Sequence, residues 1–381
     1  MKESIRIRNF GPVADVYIED IKPLTVFIGE SGNGKSTILK LIAMFRWIYK
    51  KMCIQTFLHK SGVGQTFPFS LETYLQNQEQ EHYLRDDSYI EYRNGDTCLL
   101  IENKELRGTD APVPLEALCL EKIAFIADKR VVVSDLQVGN IVSRKNSFYL
   151  NETFDDYSRA TEKVKTLDIP YLGIRFDIKK TSDGVQHRIK SLADSKSVFD
   201  IELTEASSGM QTTVPMVAII EYFSRYYDLV DANNRSLLTY FSQSDNLKGF
   251  QFIANISDFK QRRITLCVEE PELGLFPAAQ DGLMRFISNR CFNTPHDYDM
   301  NVLVTTHSPY ILNYLNVLVN ERPDSGFAIA PDKAGVFLVK DGLIEPLLGI
   351  GGKGNPVIDT RALSDDIRTS FERYKELTDN E

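Results

Sequence analysis

The most constraining feature of this 381-residue sequence is a glycine-rich segment at residues 29–36, Gly-Glu-Ser-Gly-Asn-Gly-Lys-Ser. The five residues before it, Leu24 to Ile28, are typical of a buried strand in a parallel sheet. After it, apolar residues recur at helical spacing, which predicts a helix over residues 36–51. A loop between such a strand and helix surrounds an anion with main-chain N–H groups, and the helix N-terminus adds positive partial charge.

The residue types in this loop fit the phosphates of a nucleoside triphosphate and its metal. In the pattern GxxxxGK[ST], Lys35 is expected to reach the β- and γ-phosphates, and the Ser36 hydroxyl is expected to bind Mg²⁺. A chance glycine-rich turn is a poor alternative, because a strand precedes the loop and a helix follows it. The predicted ATP-binding residues are Gly29, Glu30, Ser31, Gly32, Asn33, Gly34, Lys35, Ser36 and Thr37.

A second segment places acidic residues at the end of another apolar strand. Residues 264–268 read as a buried strand, and Glu269-Glu270-Pro271-Glu272 follows directly. Because ligands bind at the carboxyl ends of such strands, Glu269 is expected to hold Mg²⁺, directly or through water, and Glu270 to polarise the attacking water. Taken alone, the segment is also compatible with an acidic surface turn.

Two further segments are weaker when each is read alone. His307, in Thr-Thr-His-Ser after an apolar run, is suited to contact a γ-phosphate, although a structural histidine is the commoner case. Residues 207–211, Ser-Ser-Gly-Met-Gln, precede an apolar helical pattern over 213–230, and a Ser-Gly helix start exposes N–H groups to an anion. Alone, that segment is only a helix cap.

Composition restricts the class of protein. Lys and Arg total 44 against 53 Asp and Glu, and the net charge of −9 argues against non-specific coating of nucleic acid while leaving room for one basic groove. The N-terminus lacks a signal-peptide pattern, and no apolar stretch is long enough for a membrane span. The five cysteines are scattered without a CxxC pair, as in reduced proteins. A cytoplasmic protein with no membrane partner is therefore expected.

Together and in this order, the four segments resemble the ATP-binding-cassette (ABC) ATPases, specifically their soluble branch of SMC, RecF and double-strand-break-repair ATPases. The opening Ile-Arg-Ile-Arg-Asn-Phe-Gly-Pro is typical of that branch. The strings Glu-Glu-Pro-Glu-Leu and Thr-His-Ser-Pro are most similar to small prokaryotic AAA ATPases of the overcoming-lysogenisation-defect type and to ATPase subunits of anti-phage systems such as Septu and PARIS. The resemblance covers residues 1–50, 205–225 and 262–345.

The resemblance implies a fold and a role for each segment. The fold is an α/β P-loop NTPase of the ABC-ATPase head type, with a mixed central sheet, an antiparallel β subdomain and a helical signature lobe. Residues 29–36 stand at Walker A, Glu269 and Glu270 at Walker B, residues 271–273 at the D-loop, and His307 at the switch histidine. The signature that closes on ATP held by a second subunit corresponds to Ser207, Ser208, Gly209 and Gln211.

The same resemblance, with the composition along the chain, predicts the domain organisation. Residues 1–130 and 250–350 are expected to form the nucleotide-binding core. Residues 131–249 are expected to form the helical signature lobe with an inserted polar segment, and residues 351–381 a charged, helical tail.

Three departures from the family pattern bear on activity. Glu269 replaces the usual Walker B aspartate, Met210 replaces the second signature glycine, and the polar segment 231–262 separates the signature from Walker B. Mg²⁺ demands tight octahedral geometry, so the longer Glu269 either bridges through water differently or weakens the metal site. The Q-loop glutamine stays open among Gln55, Gln65, Gln76, Gln78 and Gln80.

What the family implies mechanically is a homodimer, or a higher even oligomer, held together by composite ATP sites. The chain is expected to be an ATPase, slow if Glu269 disturbs the metal. No sustained heptads occur, which excludes a long coiled-coil arm, and residues 297–299, Asp-Tyr-Asp, precede a strand instead of ending one, which argues against an intrinsic nuclease. No histidine pair has metal spacing among His59, His82, His187 and His296.

An ATPase without its own effector favours a nuclease or toxin partner in trans, in an antiviral switch. The alternatives are a RecF- or SMC-like DNA repair or recombination ATPase that binds DNA, and a nucleotide-binding scaffold with negligible turnover.

Overall fold

The computed structural model describes residues 2–62, 67–137, 147–182, 184–192, 198–235, 259, 261–352 and 354–378. Its strands are β1 (Glu3–Phe10), β2 (Val13–Ile18), β3 (Leu24–Ile28), β4 (Leu84–Asn94), β5 (Thr97–Glu102), β6 (Glu105–Arg107), β7 (Cys119–Ile126), β8 (Thr166–Ile169), β9 (Ile174–Thr181), β10 (Gly184–Ser191), β11 (Asp200–Glu202), β12 (Gln261–Glu269), β13 (Asp299–Thr306), β14 (Ala334–Lys340), β15 (Leu343–Pro346), β16 (Leu348–Ile350) and β17 (Pro356–Ile358).

The helices surround these strands. None in the described part of the chain is long and apolar enough to cross a bilayer. They are α1 (Lys35–Lys60), α2 (Leu71–Asn77), α3 (Val133–Gln137), α4 (Phe148–Lys163), α5 (Ser208–Arg225), α6 (Pro277–Phe292), α7 (Pro309–Leu318) and α8 (Arg361–Thr378), with a further helical segment at residues 229–235.

One mixed sheet organises the molecule, in the order β6-β5-β4-β1-β2-β15-β14-β3-β13-β12-β7. Its β14-β3-β13-β12-β7 half is parallel throughout, whereas β1, β2, β4, β5 and β6 pair antiparallel. A separate antiparallel sheet, β11-β10-β9-β8, belongs to the part of the chain that also carries α4 and α5. The predicted fold class, with a mixed central sheet and an antiparallel β subdomain, is confirmed.

Two apolar cores lie on opposite faces of the parallel strands, because successive side chains of a strand point to opposite faces. Phe27 of β3 and Cys267 of β12 face α1, whereas Val26 of β3 and Leu266 of β12 face α5, α6 and α7. Residues buried on both faces explain the continuous apolar runs of these strands.

Most of the predicted elements are confirmed, with shifted boundaries. The strand at Leu24–Ile28 lies where predicted. The helix predicted to end at residue 51 continues to Lys60, and the helix predicted from residue 213 begins at Ser208. Of the predicted insertion 231–262, residues 261 and 262 already belong to β12, whereas 236–258 and 260 lie outside the described residues.

A buried ionic network fixes α1 to the amino ends of the strands. Arg46 of α1, which has no solvent exposure, donates to both carboxylate oxygens of Glu3 at 2.8 and 2.7 Å and to the Thr265 hydroxyl at 2.6 Å. Arg263 binds both oxygens of Glu121 at 3.0 and 2.8 Å and lies 3.3 Å from Glu3. Burial alone would raise the pKa of Glu3, but Arg46 and Arg263 lower it, so the network holds two positive and two negative charges.

Replacement of Glu3 by glutamine should lower the free energy of unfolding by about 3 kcal/mol, because it leaves buried arginine charge uncompensated. Since the folded-state pKa of Glu3 is lowered, this stability exists above the ordinary carboxyl pKa and is lost as pH falls through the folded value. Urea denaturation of both proteins at neutral and acidic pH measures the difference, which should shrink in acid. Asp281→Asn, which removes a half-exposed pair with Arg285, should change stability by less than about 1 kcal/mol. Equal losses in the two variants would contradict the assignment.

Candidate nucleotide-binding and hydrolysis site

The carboxyl ends of four parallel strands meet at one edge of the sheet. The register pairs Ile28 of β3 with Thr306 of β13, Thr305 with Glu269 of β12, and Val268 with Ile126 of β7. The residues that follow each strand therefore lie at nearly the same level. This edge brings together the phosphate loop, the acidic segment and His307, which come from three distant parts of the sequence.

The phosphate loop has the backbone shape that its glycines predict. Gly32 and Gly34 have positive φ values of 84° and 102°, and a Cβ at Gly29 would collide with the Val339 carbonyl oxygen of β14. No side chain caps α1 at Gly34, and the first N–H groups of any helix lack intrahelical acceptors. Gly29, Glu30, Ser31, Gly32, Asn33 and Gly34 thus form the loop, and Lys35, Ser36 and Thr37 begin α1. The N–H groups at this helix start fit a phosphate.

The side chain of Lys35, the first residue of α1, lies against this loop. Its Nζ donates to the carbonyl oxygens of Gly29 and Glu30, both at 2.8 Å, and lies 3.5 Å from Nδ1 of His307. Burial lowers the pKa of Lys35 to about 8, although Glu270, Glu272 and Glu30 oppose the shift. The ammonium group is therefore held where a phosphate chain would replace the carbonyl oxygens as its acceptor.

Ser36 and Glu269, the two predicted metal ligands, are in contact. The Glu269 carboxylate accepts hydrogen bonds from the Ser36 side chain and from the main-chain N–H of Asp128, and burial raises the pKa of Glu269. A hydroxyl that donates its single proton to a carboxylate keeps its lone pairs for a cation. Among the described residues, no set of three or more His, Cys, Asp and Glu side chains could hold a metal ion. Mg²⁺ is usually bound by one or two protein side chains together with the phosphate oxygens of a substrate. Ser36 and Glu269 therefore fit Mg²⁺ bound with ATP.

His307 connects the phosphate loop to the second acid. Its Nε2 lies 3.3 Å from Oε1 of Glu270, while its Nδ1 faces Lys35. Glu272, which the resemblance placed in the D-loop, fixes this arrangement, because its Oε1 accepts from the Thr306 hydroxyl at 2.7 Å and from the His307 N–H at 2.8 Å. The predicted catalytic pair therefore shares one small space with Lys35.

The segment at residues 207–211 forms the start of α5, where Gly209 packs against Gly274 in the loop after the acidic segment. Ser207 and Ser208 are exposed, and no side-chain hydrogen bond caps α5 at Ser207. The Gln211 amide donates to the carbonyl oxygens of Thr204 at 2.8 Å and Ala206 at 2.9 Å, so it stabilises the preceding turn. Among the described residues, no hydrogen bond joins this segment, which includes the buried Gly209, to the phosphate loop.

The sequence reading missed Arg130, which lies in a 3₁₀ turn, Asp128–Val132, directly after β7. Its guanidinium is fully buried and bonds to main-chain carbonyls of the acidic segment and of α5. No local pattern could have identified it, because its partners lie about 80 and 140 residues away in sequence.

The candidate Q-loop glutamines can be compared with the residues at the end of β7, a neighbour of β12 in the sheet. Gln55 lies in α1, twenty residues beyond Lys35, or about 30 Å along the helix axis. Gln76 belongs to α2, Gln78 and Gln80 follow it, and Gln65 lies outside the described residues. In the sheet β7 lies next to β12, and the residues that follow β7 are Ala127 and Asp128, not a glutamine.

The other histidines and the Asp-Tyr-Asp segment lie away from this edge. His187 is buried and 2.7 Å from the Tyr157 hydroxyl, and burial lowers its pKa to about 4. His296 contacts the Arg290 carbonyl, and Asp299 is the first residue of β13. His59 lies in the last turn of α1, and His82 is exposed before β4.

Comparison with known families agrees with this geometry. The family model described as "AAA ATPase domain" matches residues 1–106, and the one described as "AAA domain, putative AbiEii toxin, Type IV TA system" matches residues 126–313. The chain carries AAA-family ATPase domains. The phosphate loop lies in the first matched range of these ATPase domains, and Arg130, residues 207–211, the acidic segment and His307 lie in the second. ATPase families of this kind bind ATP, typically with Mg²⁺.

The solved structures similar to this chain include distant likenesses, and no curated protein matches significantly. An SMC head domain from Thermotoga maritima is 12% identical with a TM-score of 0.38, covering 91% of this chain and 99% of that chain. An Smc head domain bound to a ScpA domain, from Pyrococcus furiosus, is 10% identical with a TM-score of 0.37, covering 96% of this chain and 98% of that chain. A bacterial ABC transporter cassette solved as a dimer is 10% identical with a TM-score of 0.34, covering 91% of this chain and 100% of that chain. Likenesses at this level carry no argument about function.

ATP affinity should fall about tenfold between about pH 7 and about pH 9, because Lys35 has a lowered pKa and loses its proton in that interval. Phosphate binding favours the charged form, so ATP binding near the Lys35 pKa of about 8 should take up protons. Titration calorimetry in buffers of different ionisation enthalpy measures both effects. Lys35→Arg keeps its charge at these pH values and should show no such slope. A flat wild-type affinity would refute the assigned role.

Shortening Glu269 to aspartate should reduce Mg²⁺ affinity about tenfold in the presence of ATP, because the carboxylate no longer reaches Ser36. ATP affinity without metal should stay unchanged. Mn²⁺ titration of the protein–ATP mixture by electron paramagnetic resonance measures metal binding directly. Glu269→Gln should lose more metal affinity than Glu269→Asp. Tighter metal binding by the aspartate variant would mean that Glu269 weakens the site.

Proposed function

We propose that this chain is an ATP-hydrolysing switch that closes as a homodimer around ATP and controls a partner effector in prokaryotic antiviral defence. The observation that carries the proposal is the division of the site. The phosphate loop, Glu269, Glu270 and His307 lie together, whereas Ser208 is exposed at an uncapped helix start without a bond to that loop. A second copy could supply its own Ser207, Ser208 and Gly209 to the nucleotide.

The chain's own residues support a hydrolytic role. Lys35 and the loop N–H groups bind the phosphates and compensate their charge. Ser36 and Glu269 would hold Mg²⁺, which when bound neutralises charge on the phosphate oxygens. Glu270 accepts a proton or hydrogen bond from the attacking water, and His307, 3.3 Å away, restricts the Glu270 carboxylate to one direction.

An exposed aromatic residue supports the dimer. Phe276 follows the acidic segment, ends the loop before α6 and is 80% exposed, although a monomer gains nothing from a phenylalanine in water. Gly274, two residues earlier, packs against Gly209, so this loop is continuous with the segment that carries Ser208. A second copy of this chain closing on Ser208 would also cover Phe276.

The effector role rests on the family and not on the geometry. The description of the second family model names a toxin of a type IV toxin–antitoxin system, which supports a defence setting. The proposed partner is a nuclease or toxin in trans.

The Glu270→Gln variant should form stable dimers with ATP and Mg²⁺ and remain monomeric with ADP, because ATP binds while hydrolysis stops. Size-exclusion chromatography with light scattering measures the mass. Ser208→Arg should prevent the dimer by blocking the helix start, and Phe276→Ser should weaken it. If Glu270→Gln with ATP elutes only as a monomer, the composite site is wrong.

The same proteins separate defence from the DNA-repair alternative. A switch that controls a protein effector should hydrolyse ATP at a rate that DNA leaves unchanged, and Glu270→Gln should abolish protection of cells against phage. Strong stimulation by DNA, with a salt-sensitive DNA complex, would favour repair.

A further inference from the structure

Arg130 binds main-chain carbonyls from three separate elements of the site. Its Nη1 donates to Ala127 at 3.0 Å and to Glu269 at 2.7 Å, its Nη2 donates to Glu270 at 2.6 Å, and its Nε donates to Thr212 of α5 at 3.0 Å. One rigid guanidinium therefore joins the turn after β7, the end of β12 and the second turn of α5.

The burial of this charge calls for an explanation. All of these acceptors are carbonyl oxygens, and burial lowers the pKa of Arg130 to about 10 despite the acids nearby. A buried charge without an ion pair is expensive, and an apolar side chain would fill the same space at lower cost. The planar group with five donors is instead suited to fix three backbone segments relative to one another.

At one end, Arg130 holds the residue proposed to polarise water. Glu270 has φ of +43°, an uncommon value for a residue other than glycine. Its N–H donates to the Thr305 carbonyl at 2.9 Å, and its own carbonyl accepts from Arg130. Such backbone conformations persist only where surrounding bonds enforce them, so loss of the Arg130 bond frees Glu270 to turn away.

At the other end, Arg130 holds the start of α5. The Thr212 hydroxyl donates to the Leu273 carbonyl at 2.8 Å, and Gly209 packs against Gly274 so closely that a Cβ on either would collide. Pro215 follows within the helix and lacks the N–H that would bond the Gln211 carbonyl. The first two turns of α5 are thus bound more firmly to the acidic segment than an ordinary helix start would be.

We infer that Arg130 couples the position of the α5 start to the orientation of Glu270, so that hydrolysis depends on engagement of Ser208 and Gly209 by the second copy. The inference rests on the proposed composite site. Arg130 is a positioning residue, because it acts through the backbone of Glu270 and of Thr212. Through this coupling, the second copy is required for turnover and also contributes contacts to the nucleotide.

The test compares Arg130→Lys with wild type in ATP binding, dimerisation, turnover and hydrogen exchange. A lysine keeps the charge but cannot reach three segments, so kcat should fall about 100-fold from misplacement of Glu270, with ATP affinity and ATP-dependent dimers retained. In wild type, ATP should protect amides of both residues 208–214 and residues 269–275. In the variant, only residues 208–214 should gain protection.

Two further variants keep the test decisive. Arg46→Lys changes another fully buried arginine, which lies towards the opposite end of β12, and should lower stability without separating the two protected segments. Thr212→Val preserves shape, removes the bond to Leu273 and should lower kcat about tenfold with the same separation. It decides the question if Arg130→Lys fails to fold.

The outcomes divide clearly. If Arg130→Lys or Thr212→Val hydrolyses ATP within about twofold of wild type, or loses dimers and turnover in proportion as a merely destabilised protein does, the coupling is wrong. If wild type itself never dimerises with ATP, the proposed function fails and the coupling fails with it. Wild-type dimers combined with unchanged variants would overturn the coupling alone.

Discussion

The parallel register of β3, β13, β12 and β7 is the constraint on which the site depends. Because Ile28 lies opposite Thr306, Thr305 opposite Glu269, and Val268 opposite Ile126, each strand ends within one residue of its neighbour. A shift of one residue in any pair would turn each acid or histidine to the other face of the sheet. Two apolar cores resist that shift, since alternate residues of each strand are buried on opposite sides.

The two ends of β12 are stabilised in different ways. At the start, Arg46 and Arg263 are paired with Glu3 and Glu121, so charge is compensated within the network. At the end, Arg130 meets only carbonyl oxygens, and the acids around it stay available to the nucleotide. A carboxylate bonded to Arg130 would lose the freedom to bind metal or water. The start of β12 is therefore held by paired charges, whereas the acids at its end are left to bind the nucleotide and its metal.

Local pattern was enough to predict the phosphate loop and β3, because glycine spacing and a short apolar run are properties of neighbouring residues. It failed where a partner is distant in sequence. Lys50 and Lys51 looked like the end of α1, yet Lys51 bonds to the Pro68 carbonyl and the Tyr74 hydroxyl, and the helix continues to Lys60. Arg130 and Glu272 bond to partners about 140 and 34 residues away, so neighbouring residues could not indicate these contacts.

The glutamate in place of an aspartate at Walker B is consistent with this architecture. Glu269 reaches the Ser36 hydroxyl across the gap between β12 and α1, and that gap is set at the far end by the Arg46 contacts to Glu3 and Thr265. An aspartate would end about 1.5 Å earlier, one carbon–carbon bond short of that contact. Because Ser36 is positioned by the phosphate loop and the start of α1 and not by the acid, the longer side chain changes only how the acid reaches the hydroxyl. The extra methylene is therefore compatible with an intact metal site, and turnover would then depend on the orientation of Glu270.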